Sequence, residues 1–221
     1  MAAQTDSTVR LYDDSDWWSA SRTLDADESI KTQERELPRS NFEILGIRLN
    51  EHMFEKAAAR LGTATTVERG DAATGRHQVC YVSTQNEGKV YLIFERVEVD
   101  FTFYLFAGGP GWNGSDRCTI SSFISRSVST ASGLHLGQTP SQVIAILGPP
   151  SNRRKNELVY SLPVEKKVSP KERKRLRLLH PQLSGKEIRD DFDSYDLGAG
   201  IGANFVDSKL TRLTVSTAET N

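Results

Sequence analysis

The sequence predicts an α+β fold made of two tandem units, each a short helix followed by an antiparallel meander. Three observations carry this. The segment Gly46 to Gly62 (GIRLNEHMFEKAAARLG) returns in altered form from Gly133 to Gly148 (GLHLGQTPSQVIAILG), and such self-similarity means one supersecondary unit used twice. After each helical segment the apolar period changes from about 3.6 to 2, so strands follow. The strand-like runs are separated by turns rich in Gly, Asn and Pro.

Taken in order, residues 1–40 form an arm rich in Asp, Ser, Thr, Glu and Gln without sustained periodicity, expected to be partly ordered. Trp17 and Trp18 stand out in it. One of them docks on the core and pins the arm, or the pair is an exposed anchor for a partner. The first unit then spans 41–130. Ile47 and Leu49 are its opening apolar pair, Asn50 is placed to cap a helix, and Phe54, Ala57, Ala58 and Leu61 recur at helical spacing. Gly62 suits a left-handed C-cap. His77 to Ser83 and Lys89 to Glu95 read as a hairpin across Gln85, Asn86, Glu87 and Gly88. Val99 to Phe106 and Arg117 to Phe123 are two further strands, with a glycine-rich turn at 108–114 between them.

The second unit spans 131–221. Leu134 and Leu136 repeat the apolar pair, Thr139 is a good N-cap, Pro140 sits at the first helical position, and Gln142 completes a capping box. Val143, Ile146 and Leu147 form the apolar stripe. Strands follow at Glu157 to Leu162, Asp191 to Leu197, 202–206 and 209–215. Gly198, Gly200 and Gly202 lack the GxGxxG spacing and a following helix, so a bulge or bend is expected there instead of a phosphate loop.

A helical insertion near 165–190 interrupts the second meander. Ser169, Pro170, Lys171 and Glu172 form a capping signature that opens a helix with Leu176 and Leu179 on one side and Lys171, Arg173, Lys174, Arg175 and Arg177 around the rest. Ser184 and Glu187 repeat the signature before Ile188. The ordinary reading is a solvated helix whose leucines cover the sheet edge. The functional reading is a basic docking surface for an acidic protein, an anionic lipid or a phosphate-bearing ligand. Asp190, Asp191, Asp193 and Asp196 follow closely enough to neutralise it internally.

Composition narrows the function classes. With 221 residues, 37% hydrophobic, 26% charged and a net charge of −1, this is a globular chain. No apolar run approaches the roughly 20 residues that cross a bilayer, so no transmembrane segment is expected. The near-zero net charge argues against general nucleic-acid binding. His52, His77, His135 and His180 are scattered without HExxH spacing, and the serines between 121 and 129 lack a GxSxG elbow. Neither a metal, a cofactor nor a catalytic residue is expected.

The string Ser132 to Pro150 (SGLHLGQTPSQVIAILGPP), the strand bearing Tyr160 and the terminal FVDSKLTRLTV of residues 205–215 resemble the SmpA/OmlA outer-membrane lipoprotein domain and the tandem-repeat beta-lactamase inhibitor (BLIP-like) fold. The resemblance covers 132–217 well and 41–125 more loosely; the first copy lacks a proline after Leu61 and Gly62. It implies that the two units join into one continuous curved sheet with the helices on one face, in a periplasmic or secreted protein. Met1, Ala2 and Ala3 followed by a polar stretch look like a mature secreted chain whose signal peptide has been removed, although a cytoplasmic chain would carry the same N-terminal features. Cys80 and Cys118 fall in predicted strands and are either a disulfide or two free core thiols; the secreted resemblance favours the bond.

The expected function is a non-enzymatic extracytoplasmic module that binds a protein of unknown identity. If Val99, Phe101, Phe103 and Leu105 point to the helices, Tyr104 and Phe106 point the other way, with Tyr91 beside them and Trp112 at the rim, which makes these four the expected exposed partner-binding aromatics. Otherwise they fill a second apolar layer or pack beneath the arm. The competing class is a small-ligand-binding protein or a hydrolase with an unrecognised site.

Overall fold

The computed structural model describes residues 37–69, 75–85, 88–98, 100–108, 117–161, 164–167, 170–191 and 194–220. Trp17, Trp18, Val99, Trp112 and Ser169 lie outside the described residues.

A single 3-10 turn, Arg39–Phe42, leads into the hairpin β1 (Glu43–Ile44) and β2 (Ile47–Arg48). Leu45 and Gly46 turn it with φ of 55° and 78°, the left-handed pair that a tight hairpin requires. Helix α1 (Met53–Leu61) buries Met53, Ala57 and Leu61. Ala57 and Leu61 are buried as expected, Met53 joins them, and Phe54 packs half-buried at the edge of the same core, while Ala58 is half-buried. Asn50 does not cap the helix. Its Oδ1 accepts the backbone N–H of His52 at 3.0 Å in the turn before it, while His52 holds the N-cap position without a side-chain bond. Gly62 stops α1 with φ of 103°.

The first meander is β3 (Val67–Arg69), β4 (Arg76–Val82), β5 (Val90–Val97) and β6 (Asp100–Ala107). The expected strand at 117–123 shrinks to β7 (Thr119–Ile120), which pairs parallel with Tyr81 and Val82 of β4. Beyond it the chain turns, with the Ile124 N–H donated to the Ser121 carbonyl at 3.1 Å.

The second unit reproduces this plan. Helix α2 (Pro140–Leu147) starts with the expected capping box: the Thr139 hydroxyl accepts from the Gln142 N–H at 3.3 Å, and the Gln142 side chain accepts from the Thr139 N–H at 2.8 Å. Then follow β8 (Asn152–Arg154), β9 (Glu157–Ser161), β10 (Val164–Lys167), α3 (Pro170–Leu179), α4 (Gly185–Asp191), β11 (Ser194–Val206) and β12 (Lys209–Thr220). No bend separates two strands at Gly198, Gly200 and Gly202. Strand β11 runs through all three, and the register shift falls later, between Asn204 and Phe205. Asp207 and Ser208, with φ of 48° and 58°, close the β11–β12 hairpin.

The main sheet has the order β3-β4-β5-β6-β12-β11-β9-β8, with β10 pairing β11 and β7 pairing β4 off that path. Read outward from the middle, the two halves match strand for strand: β6 with β12, β5 with β11, β4 with β9, β3 with β8. The registers locate the pseudo-twofold axis. Tyr104 faces Thr214 across the central β6–β12 pair, flanked by Phe103 opposite Val215 and Leu105 opposite Leu213. The opening loops of the two units also meet, with the Ala131 N–H donated to the Glu43 carbonyl at 2.8 Å.

Both helices lie on one face. Met53, Ala57 and Leu61 of α1 and Val143 and Leu147 of α2 share one apolar core with Phe94, Phe103, Leu105, Ile201 and Val215 of the sheet. One tyrosine per unit ties helix to sheet at equivalent places. Tyr81 donates its hydroxyl to the Gly62 carbonyl at 3.0 Å, and Tyr160 donates to the Gly148 carbonyl at 3.1 Å. Each satisfies a terminal helix carbonyl that has no partner within the helix. Burial pushes both phenols up to about 12. Because the rings stay packed in a phenylalanine variant, Tyr81→Phe and Tyr160→Phe are each expected to cost about 1 kcal/mol, the net worth of one hydrogen bond. Urea unfolding of the single and double variants checks this, and a combined loss near zero would remove the helix anchors from the account.

Candidate functional site

The side of the sheet opposite α1 and α2 carries the residues singled out for binding. The alternation is as expected: Phe103 and Leu105 face the helices, whereas Tyr91, Tyr104 and Phe106 face the other way. Their accessibility is not. Tyr91, Tyr104 and Phe106 retain 3%, 0% and 4% exposure, so they are not the exposed anchors expected of them. Their own packing explains part of this. Tyr91 and Phe106, directly opposite on β5 and β6, stack with ring centroids 5.2 Å apart, and together with Val82, Ile93 and Tyr104 they form a second apolar cluster around Cys80.

Cys80 and Cys118 are disulfide-bonded with Cα atoms 4.5 Å apart. Cys118 sits just ahead of β7, not inside a strand. The bond therefore fastens the β7 segment against β4, where Tyr81 is registered with Thr119.

A polar cluster lies beside this apolar layer. Gln78 of β4 and Glu95 of β5 are direct cross-strand partners. Tyr104 donates its hydroxyl to Glu95 Oε1 at 3.0 Å, the Gln78 amide donates to Oε2, and Arg76 Nε stands 3.5 Å from Oε2. Glu95 is 2% exposed. Burial raises its carboxyl to about 7, against the opposing pull of Arg76 and of the hydrogen bonds from Tyr104 and Gln78, while Asp100 adds to the rise. Both carboxyl oxygens already hold internal partners, so the cluster is a cross-strand brace.

The second unit has the same brace with the roles exchanged. At the equivalent pair the carboxylate is on the outer strand and the amide on the inner one: Asn204 Nδ2 donates to Glu157 Oε1 at 3.1 Å, with Arg154 3.8 Å from Oε2. Sequence reasoning missed both. The available signal was Glu95 itself, an acidic residue on the same strand face as Tyr91 and Ile93, where only a partnered carboxyl is stable.

The basic helix α3 presents a different surface. Leu178 and Leu179 are 77% and 60% exposed, while Leu176 is half-buried. Leu179 therefore does not cover the sheet edge as expected. Lys174, Arg175 and Arg177 are exposed and Arg173 is half-buried; Lys171 belongs to the same helix, its side chain outside the described residues. Helix α3 packs on α4, where Ile188 is buried. The expected second capping box is present: Glu187 Oε2 accepts from the Ser184 N–H at 2.7 Å, and Ser184 Oγ accepts from the Glu187 N–H at 3.2 Å. The Ser184 backbone N–H, and after it the Ser184 hydroxyl, hold the Glu187 carboxyl below its ordinary range. The side chains of Asp190, Asp191, Asp193 and Asp196 lie outside the described residues, and with them the expected internal neutralisation.

Among the described residues no group of three or more His, Cys, Asp or Glu is placed to hold a metal ion, and no helix is long and apolar enough to cross a membrane. No family model matches the chain, and no curated protein or solved structure matches it.

Proposed function

We propose that the protein is a non-enzymatic extracytoplasmic module that binds an acidic protein partner through α3. The observation that carries the reading is the pair Leu178 and Leu179, more than half exposed beside Lys174, Arg175 and Arg177. Large apolar side chains in a cationic rim suit a partner that offers an apolar pocket edged by carboxylates. Two adjacent leucines give a small apolar area, which favours a protein pocket over insertion into a lipid interface. The disulfide supports the extracytoplasmic setting, since such bonds persist in oxidising compartments. The resemblance to the SmpA/OmlA and BLIP-like families supports the same setting and a binding role.

Burial of a leucine contributes about 1.5–3 kcal/mol. Leu178→Ala/Leu179→Ala is therefore expected to weaken partner binding about thirtyfold or more. Lys174→Glu/Arg175→Glu is expected to slow association and abolish its salt dependence. The measurement is capture from an envelope extract followed by titration of the purified partner against the intact protein and both variants, with circular dichroism showing that each is folded. Equal affinity for all three proteins, or flotation with anionic phosphatidylglycerol vesicles in place of a protein partner, would overturn the proposal.

A further inference from the structure

At one end of the second unit the tips of two hairpins and the start of α2 meet around a cleft of about 60 Å³, whose lining includes Pro140, Arg153, Lys155, Asn156, Phe205 and Ser208. Main-chain bonds fix its walls. The Asn156 carbonyl accepts the Phe205 N–H at 2.8 Å, which joins the β8–β9 tip to β11, and the Gln138 carbonyl accepts the Leu210 N–H at 2.7 Å, which joins the entry of α2 to β12. The cleft is thus built by three segments distant in sequence and tied to one another.

Its charge is one-sided. Arg153, Arg154 and Lys155 follow one another at the β8–β9 tip, and the carboxylate in the lining, Glu157, is already engaged, with Oε1 accepting from Asn204 and Oε2 3.8 Å from Arg154. Arg154 is thereby matched. Arg153 and Lys155 are exposed and form no ion pair among the described residues. Across the cleft, Ser208 is the second of two left-handed turn residues, with φ of 58°. Glycine is the residue that such a hairpin turn favours at this place, so serine there adds a hydroxyl at a cost in backbone strain.

We propose that this cleft binds a phosphoryl group, as free phosphate or as the terminal group of a small phosphate monoester, with Arg153 and Lys155 as its cationic partners and Asn156 and Ser208 as hydrogen-bond donors. A guanidinium fork, an ammonium, an amide and a hydroxyl set on different walls offer donors from more than one direction. That arrangement suits a tetrahedral oxyanion, whereas a planar carboxylate is satisfied edge-on by one guanidinium. The small volume admits one phosphoryl group and leaves the rest of a ligand in solvent. Pro140 has no N–H to give, so side chains carry the recognition and the helix end only closes the wall.

Calorimetric titration of the full chain at low salt, with inorganic phosphate and with glycerol 3-phosphate, tests this. Arg153→Gln/Lys155→Gln alters exposed positions only and is expected to weaken binding about tenfold or more, as the loss of charge-assisted hydrogen bonds does. Lys56→Gln/Lys186→Gln removes the same charge from exposed sites elsewhere and is expected to leave binding unchanged. Ser208→Gly is expected to raise the urea midpoint of unfolding, because it relieves the turn, and still to weaken binding; a serine with a structural role alone would not separate the two. The probe that binds more tightly distinguishes the free anion from the monoester. No binding of either probe, binding that Arg153→Gln/Lys155→Gln leaves intact, or an equal loss in both charge variants, as an adventitious ion drawn by net charge gives, would overturn the proposal.

Discussion

Replacing Cys80 and Cys118 together by alanine is expected to lower unfolding stability by about 4 kcal/mol, the chain-entropy value for a closed loop of this length. The bond joins residues 38 apart. It restricts the unfolded chain over most of the first meander, from β4 past β6 to β7. In the folded state it adds a local constraint, because β7 is only two residues long and holds to β4 by one short parallel pairing. Alanine is the proper replacement, since Cys80 is fully buried and a serine there would add an unpartnered hydroxyl to the apolar cluster. Against a usual domain stability of about 5–15 kcal/mol the loss is large. Urea unfolding of the oxidised protein, the reduced protein and the variant measures it. Reduced protein and variant should coincide, and a loss below about 1 kcal/mol would show that the closed loop is already restricted by other means.

Glu95 gives the second large effect, through pH. Its carboxyl rises from 4.5 to about 7 on folding, chiefly because burial disfavours the ionised form. The folded state therefore holds a proton that the unfolded state has released, and stability falls as pH rises through this window. The contribution is fully present below about pH 4.5 and lost by about pH 7, a change on the order of 3 kcal/mol at about 1.4 kcal/mol for each pH decade. Glu187, whose carboxyl is held low, acts only on the acid side of this window. In Glu95→Gln the amide can still accept from Tyr104 and meet Gln78, while the partly exposed Arg76 turns to water. The slope between pH 4.5 and 7 is expected to disappear, leaving the variant the more stable protein at pH 8. Wild-type stability that stays flat or climbs from pH 5 to 7 would refute the assignment.

Local signals in the chain were reliable where the interaction is local. Thr139, Pro140 and Gln142 start α2 because a capping box closes within four residues, and Ser184 with Glu187 does the same for α4. Asn50 misled because an Asx turn to His52 uses the same side chain as a cap would, and the choice between them depends on how β2 enters the helix. The glycines of β11 misled for a related reason. Glycine permits a bend but does not impose one, and ladder partners on both sides hold Gly200 and Gly202 extended.

The candidate site was legible in direction and not in exposure. Alternation put Tyr91, Tyr104 and Phe106 on the face away from the helices, as period-2 geometry must. Whether that face meets water depends on what else lies over it, and no periodicity records that. The brace of Gln78, Glu95, Tyr104 and Arg76 was out of reach for the same reason: its members come from three strands, and register alone brings them together.

The sequence by itself determined the α+β class, the repeated plan, the capping box of α2, the glycine stops of α1 and α2 and which strand side chains share a face, because these follow from neighbours within one turn of helix or two residues of strand. Only the tertiary structure decided that the two units join at β6 and β12 around the Tyr104–Thr214 pair, that Cys80 meets Cys118, that Glu95 is braced between strands, and that Tyr91, Tyr104 and Phe106 are buried. Each of these depends on strand register and on packing between strands, free-energy terms that arise only when segments far apart in sequence are brought into contact.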